Sequence, residues 1–210
     1  MTEQAHAALP QMLSPPGDVE EDDAGIIRRS LDEPERFGTL FHRYSSEIKR
    51  YVARRLGPDV ADDIAAETFL AAFRQRERYD TGRANARPWL YGIATNLVGM
   101  HKRAEKRLYQ RLLRTGVDPV MQPFTDRVDA RVSAQSAQAR LGAALMRLPA
   151  GQRDVLLLIA WADLAYEEVA TALDVPIGTV RSRMNRARKK LRQELRDAGV
   201  TGIDEEAEHE

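Results

Sequence analysis

The densest set of side chains able to do chemistry lies in residues 177–196, IGTVRSRMNRARKKLRQELR. Arg181, Arg183, Arg186, Arg188, Lys189, Lys190, Arg192 and Arg196 stand there against a single acid, Glu194. Val180, Met184, Ala187, Leu191 and Leu195 recur every three or four residues, the spacing of one apolar stripe along a helix. The cations therefore occupy the remaining surface, with Ser182, Asn185, Arg186 and Lys189 pointing most directly away from the stripe. Such a cylinder can hydrogen-bond and neutralise charge but cannot break bonds. It fits the DNA major groove, where Arg and Asn meet base edges. A solvated basic face on an ordinary core helix has the same composition, so the surrounding elements must decide between the two.

Those elements favour DNA. Residues 166–173 have Val169, Ala170 and Leu173 on one side, and Asp174-Val175-Pro176 interrupts the pattern before the basic helix starts near Ile177. Asp tolerates a left-handed turn conformation, and Pro176 suits the first turn of a helix because its missing N–H costs nothing there. Two helices joined by so tight a turn form a helix-turn-helix, and the small Ala170 allows the pair to cross closely.

Other chemistry finds no support. His6, His42, His101 and His209 are scattered, and no Ser/His/Asp set, glycine-rich phosphate loop or metal-ligand spacing occurs. With no cysteine, disulfides and thiolate metal sites are excluded. No cofactor, metal or enzymatic activity is expected. No apolar run approaches a membrane span and no signal pattern opens the chain, so a cytoplasmic protein is expected.

The formal net charge is zero across 210 residues, with 32 basic and 32 acidic side chains. That balance conceals an asymmetry. Six acids lie in residues 1–25 and five in residues 204–210, with no Lys or Arg in either stretch. Setting these eleven aside leaves 32 basic and 21 acidic residues, a balance of +11 that suits a polyanionic partner. The acidic ends read as solvated tails or as weak intramolecular decoys for the basic surface.

Residues 1–22, with Pro10, Pro15, Pro16 and Gly17, are expected to be a disordered acidic tail. A short helix is expected over residues 24–31. Pro34 then opens a periodic helix with Phe37, Leu40, Phe41, Tyr44, Ile48, Tyr51 and Val52 on one face, ended by Gly57-Pro58. The next helix, residues 59–78, turns Ile64, Ala65, Phe69, Ala72 and Phe73 inward and Asp62, Asp63 and Glu67 outward. A polar loop over residues 80–87 precedes a helix from Pro88, with Trp89, Leu90, Ile93, Ala94, Leu97 and Val98 apolar and a basic tail through Arg111. Gly116, Pro119 and Pro123 then break the pattern. The reading is all-α, two small helical domains (23–107 and 133–197) joined by a flexible linker (108–132), with an acidic tail over 198–210. Twenty extended residues reach about 65 Å, so the domains could engage separated sites.

With both halves in view, the chain resembles the sigma-70 family of RNA polymerase sigma factors, in its small extracytoplasmic-function branch. FGTLFHRYSSEIKRYVARRLG, DDIAAETFLAAF, ARPWLYGIATNLV and HKRAEKR carry the resemblance in the first domain, and residues 148–192 in the second. It implies a promoter-specificity factor with core RNA polymerase and promoter DNA (duplex −35, opened −10) as partners, an anti-sigma factor as a further partner, and a monomer when free. Residues 23–107 would be region 2 and residues 133–197 region 4.

Carried over residue by residue, the resemblance implies that Asp62, Asp63, Glu67 and Phe69 dock on the polymerase. Arg87, Trp89, Asn96, Lys102, Arg103, Lys106 and Arg107 would meet the −10 element. Thr179, Arg181, Ser182, Asn185, Arg186, Arg188 and Lys189 would meet the −35 element. The family often has Gln where Ala66 stands and Asp where Met100 stands. A self-sufficient helix-turn-helix regulator with an N-terminal sensing or dimerisation domain is the alternative, and it would be dimeric.

Overall fold

A computed structural model describes residues 21–114 and 134–197. Both expected acidic tails, and nearly all of the expected linker, lie outside the described residues. Among the described residues the α-helices are α1 (Asp23–Arg29), α2 (Gly38–Leu56), α3 (Ala61–Arg74), α4 (Arg87–Arg114), α5 (Ala134–Arg147), α6 (Ala150–Ala162), α7 (Tyr166–Leu173) and α8 (Ile177–Asp197). Two 3-10 turns, Pro34–Phe37 and Arg76–Arg78, flank α2 and α3. Among the described residues there is no strand.

Local chemistry sets most boundaries. Asp22 caps α1, its carboxylate accepting from the Gly25 N–H at 2.7 Å. Pro34 starts a 3-10 turn rather than the α-helix itself, which begins at Gly38. Gly57, at φ 90°, ends α2 in a conformation that favours glycine. The α3 helix is shorter than its apolar pattern suggests, because the Gln75 N–H is shared among the carbonyls of Ala71, Ala72 and Phe73 and the chain tightens into the second 3-10 turn.

In the N-terminal half, α2, α3 and α4 pack around Leu40, Ile48, Val52, Ala72, Leu90 and Val98, all fully buried. In the C-terminal half, α6, α7 and α8 surround Val155, Leu158, Val169 and Val180. The sequence does not announce what joins them. α4 packs against α7 and α6, and α2 against α6, so one buried apolar cluster runs from Ala24 to Ala187 through both halves.

Asp23 is another departure. Counted with the acidic N-terminal run, it is instead 2% exposed. Its carboxylate accepts from Arg43, from the Tyr44 hydroxyl at 2.6 Å and from the Ala86 N–H at 2.8 Å. One buried acid thereby ties α1, α2 and the loop before α4 together. Three donors, one of them charged, compensate its desolvation.

Candidate nucleic-acid interface

The helix-turn-helix forms as its residues dictate. Asp174 ends α7 in the left-handed region (φ 49°, ψ 53°), and the Val175 N–H returns to the Ala170 carbonyl at 3.1 Å. At the other end of α7, the Glu168 carboxylate accepts from the Ala165 N–H at 2.9 Å. Pro176 sits one residue earlier than the helical first turn, as the residue whose carbonyl receives the Thr179 and Val180 N–H groups. Val180, Met184, Ala187 and Leu195 are buried, with Leu191 packed at the edge. This fixes the rotation of α8 and leaves Arg181, Asn185, Arg186, Arg188 and Lys189 exposed. Thr179 and Ser182 are half-buried, the Ser182 hydroxyl donating to the Thr179 carbonyl at 3.1 Å.

Glu194, the acid nearest the exposed cations of that helix, is held off to the side, pairing with Arg147 of α5 at 2.6 Å. Among the described residues, no carboxylate pairs with Arg181, Arg186, Arg188 or Lys189. Their charge is available to a polyanion.

The second basic helix is arranged differently. On α4, Asn96, Arg103, Lys106 and Arg107 are exposed, whereas Arg87, Trp89 and Lys102 are half-buried. Trp89 packs on Tyr79 with ring centroids 4.9 Å apart, and burial pushes the Tyr79 hydroxyl up to about 12. Arg87 donates from Nε to Glu47 at 2.9 Å and from Nη2 to the Ala162 carbonyl at 2.6 Å. That carbonyl is at the C-terminal end of α6, where acceptors lack helical partners and a cation is favoured. Burial lowers Lys102 to about 8, helped by repulsion from Arg55 and Arg153. The structure therefore does not bring all seven of these side chains to one open surface.

On α3, Asp62, Asp63 and Glu67 point outward and Asp62 pairs with Lys49 at 2.6 Å. Phe69 does not join them. It is 5% exposed, its ring edge-on to Phe41 at 5.1 Å, so it supports the surface from below. Near them, Leu70 at 41% and Phe41 at 44% exposure are apolar side chains that reach solvent. Asp63, Glu67 and Leu70 fall at i, i+4 and i+7, one stripe of the helix. Sequence reasoning missed Leu70 because a leucine next to core positions reads as core; the helical phase set by Asp63 and Glu67 was the available signal.

Comparison with known proteins decides what these surfaces belong to. Residues 40–108 match the model for sigma-70 region 2, and residues 138–191 the model for sigma-70 region 4. The ECF RNA polymerase sigma factor SigC of Mycobacterium tuberculosis is 32% identical over 187 residues, which cover 86% of this chain and 97% of that protein. The chain belongs to the sigma-70 family. The RNA polymerase sigma factor HrpL of Pseudomonas syringae pv. syringae is 32% identical over 150 residues, covering 70% of this chain and 80% of that one. The solved structure of CnrH in complex with the cytosolic domain of CnrY shares the fold, with a TM-score of 0.58 and 26% identity over 85% of this chain and 99% of that one.

The relatives place this sigma factor in the extracytoplasmic-function branch. Its work is to bind core RNA polymerase, recognise promoter elements and direct initiation. The family consists of transcription factors rather than enzymes. No helix among the described residues is long and apolar enough to cross a membrane.

Proposed function

We propose that this sigma factor divides promoter recognition between two helices that act through different chemistry. In region 4, Arg181, Asn185 and Arg186 of α8 enter the major groove at −35, while Thr179, Ser182, Arg188 and Lys189 anchor the flanking phosphates. Base contacts specify and phosphate contacts position. The observation that carries this is the exposed, unneutralised face of α8, opposite a stripe whose burial fixes its rotation.

In region 2, the opened −10 strand meets Asn96 and Trp89 of α4, with Arg87, Lys102, Arg103, Lys106 and Arg107 following its phosphates. Unstacked bases are held by aromatic surfaces, amide hydrogen bonds and cationic grooves. The polymerase docks on α3 through Asp62, Asp63 and Glu67, with Leu70 and Phe41 supplying the apolar contact. An acidic stripe bearing an exposed leucine suits a basic, amphipathic partner helix.

The domain limits of this reading are 23–107 for region 2 and 133–197 for region 4, although α4 continues to Arg114. The protein has no catalytic activity of its own and works in the cytoplasm with the polymerase. An anti-sigma factor is a fitting partner, as CnrH is solved with the cytosolic domain of CnrY. A charge reversal tests the docking surface. Glu67→Lys combined with Leu70→Asp is expected to abolish co-purification with core polymerase while leaving helical content unchanged. Undiminished binding by that variant would remove α3 from the docking surface.

A further inference from the structure

A methionine stands in the middle of the α4 surface assigned above to the −10 element. Met100 is 57% exposed, and Asn96, Arg103 and Arg107 are exposed on the same helix. The four fall at i, i+4, i+7 and i+11, one stripe along α4. At 1.5 Å per residue, Met100 lies about 6 Å along the axis from Asn96 and about 4.5 Å from Arg103. It is the apolar member of that stripe and contributes nothing to the buried cluster.

Met100 also edges a shallow, open groove between α3 and α4. Ile64, Leu97 and Ala104 line it on the apolar side, Arg103 and Arg107 supply charge, and among the described residues no acid lines it. The Arg103 guanidinium lies over Gly99, where a Cβ would stand 3.2 Å from Nη1, so the cation is folded back beside Met100. Among the described residues no carboxylate pairs with Arg103. Glu105, the nearby acid of α4, is 3.6 Å from His101 instead.

An apolar groove bordered by unpaired cations fits a partner that is part anion and part methyl group. Thymine is the DNA base with a methyl group, at C5, beside the O4 acceptor. The phosphates on either side of it answer the arginines. Cytosine, the pyrimidine of the same size, lacks the methyl and carries an N4 amino donor in place of O4. An aspartate at position 100, which the family often has, would accept from that amino group and would pair with Arg103 three residues on. Methionine does neither.

We propose that Met100 makes this sigma factor select thymine over cytosine at one position of the −10 element. Its side chain covers the C5 methyl group while Arg103 and Arg107 hold the adjoining phosphates. This preference rests on the placement of α4 at the −10 element, and adds to it a base and the residue that chooses it. Burying one methyl group against an apolar side chain corresponds to a factor of about four in binding.

The test uses the full chain with core polymerase, at limiting holoenzyme, on a promoter that this holoenzyme selects. Each thymine of the −10 element is replaced in turn by deoxyuridine, which removes the methyl group alone, and run-off transcription is measured. At one thymine the wild type is expected to lose about fourfold. Met100→Ala should show no loss there, and Met100→Leu should keep most of it. Met100→Asp is expected to invert the choice at that position, transcribing a cytosine template better than the thymine one. A selected −10 element without thymine overturns the proposal, as does a deoxyuridine penalty equally large in Met100→Ala and the wild type. A Met100→Ala defect confined to core binding, with no methyl effect, also overturns it and makes the groove a polymerase contact. Combined Arg103→Ala and Arg107→Ala separates the two levels. Transcription unchanged by that pair contradicts the placement of α4 at −10. Loss with that pair, alongside a methyl effect blind to Met100, contradicts the base preference alone.

Discussion

The basic helices α4 and α8 read alike in sequence and differ in what their cations are doing. On α8, Arg181, Arg186, Arg188 and Lys189 stand in solvent, and Glu194 is turned aside onto Arg147. On α4, Arg87 is bound to Glu47 and to the end of α6, and Lys102 is pressed against other cations. Charge along a helix states what a surface could attract. Only packing states whether the charge is free to do so. The cations of α8 are open to a polyanion in this structure, whereas Arg87 and Lys102 of α4 are engaged in packing within the chain.

Four experiments would break or sharpen that contrast. The largest effect is expected from Asp23→Ala. Losing the carboxylate that receives Arg43, Tyr44 and the Ala86 N–H should destabilise region 2 by about 3–5 kcal/mol, as for other broken buried ion pairs. Chemical denaturation of the full chain should show this, with fluorescence of Trp89 and Trp161 compared to separate the two halves. Loss confined to the Trp161 signal would reverse the assignment. Next, Arg186→Ala should reduce discrimination between matched and scrambled −35 DNA by about 1–3 kcal/mol in the holoenzyme. Equal losses on both DNAs would make Arg186 a phosphate contact.

Lys189→Ala should weaken both DNAs alike and lower the salt dependence of binding by about one counterion. A selective loss on matched DNA would move Lys189 into the base-reading set. The smallest effect concerns pH. Lys102 is lowered to about 8 in the folded chain and returns to its ordinary 10.5 when exposed, so between those values the folded chain binds fewer protons than the unfolded one. Raising the pH from 8 towards 10 therefore favours the folded chain through this group. The facing groups Arg55 and Arg153 stay charged and Tyr51, raised by burial, stays neutral across that window. The contribution of this group to stability in chemical denaturation should grow over the range, and Lys102→Met should remove that part of the pH dependence. A wild type and a Lys102→Met variant with identical pH dependence would contradict this account.

Much of region 4 was legible because its signals are local. The turn at Asp174, the limits of α7 and the buried stripe of α8 all depend on residues within a few positions of one another. The candidate −35 side chains follow directly, since burial of Val180, Met184 and Ala187 leaves no choice of rotation. Region 2 was legible in its helices and less so in its surfaces. Phe69 and Phe41 come from different helices and meet with ring centroids 5.1 Å apart, and periodicity does not say which ring lies on top. Asp23 was read with the acids around it, because nothing in its own neighbourhood discloses three donors from residues 43, 44 and 86.

The packing between halves was the least visible. Arg55 and Asp154, which pair at 2.6 Å, are one cation and one acid among many, and their pairing depends on tertiary placement alone. Gly92 did leave a trace. A glycine inside an apolar helix costs about 1 kcal/mol relative to alanine, so its presence among Leu90, Ile93 and Ala94 points to a close approach. What approaches it, the backbone of α7 at Ala172, no local pattern could supply.

The central claim is that α8 and α4 each read half of a promoter and are placed at a fixed distance by the polymerase. It is tested most directly by run-off transcription from a library in which the −35 and −10 elements of a promoter selected by this sigma factor with core polymerase are moved apart one base pair at a time. The account predicts a sharp optimum in spacing, lost together with −35 dependence when Arg186 is replaced by alanine. Transcription indifferent to spacing, or specific binding of both elements by the free chain without polymerase, would contradict it.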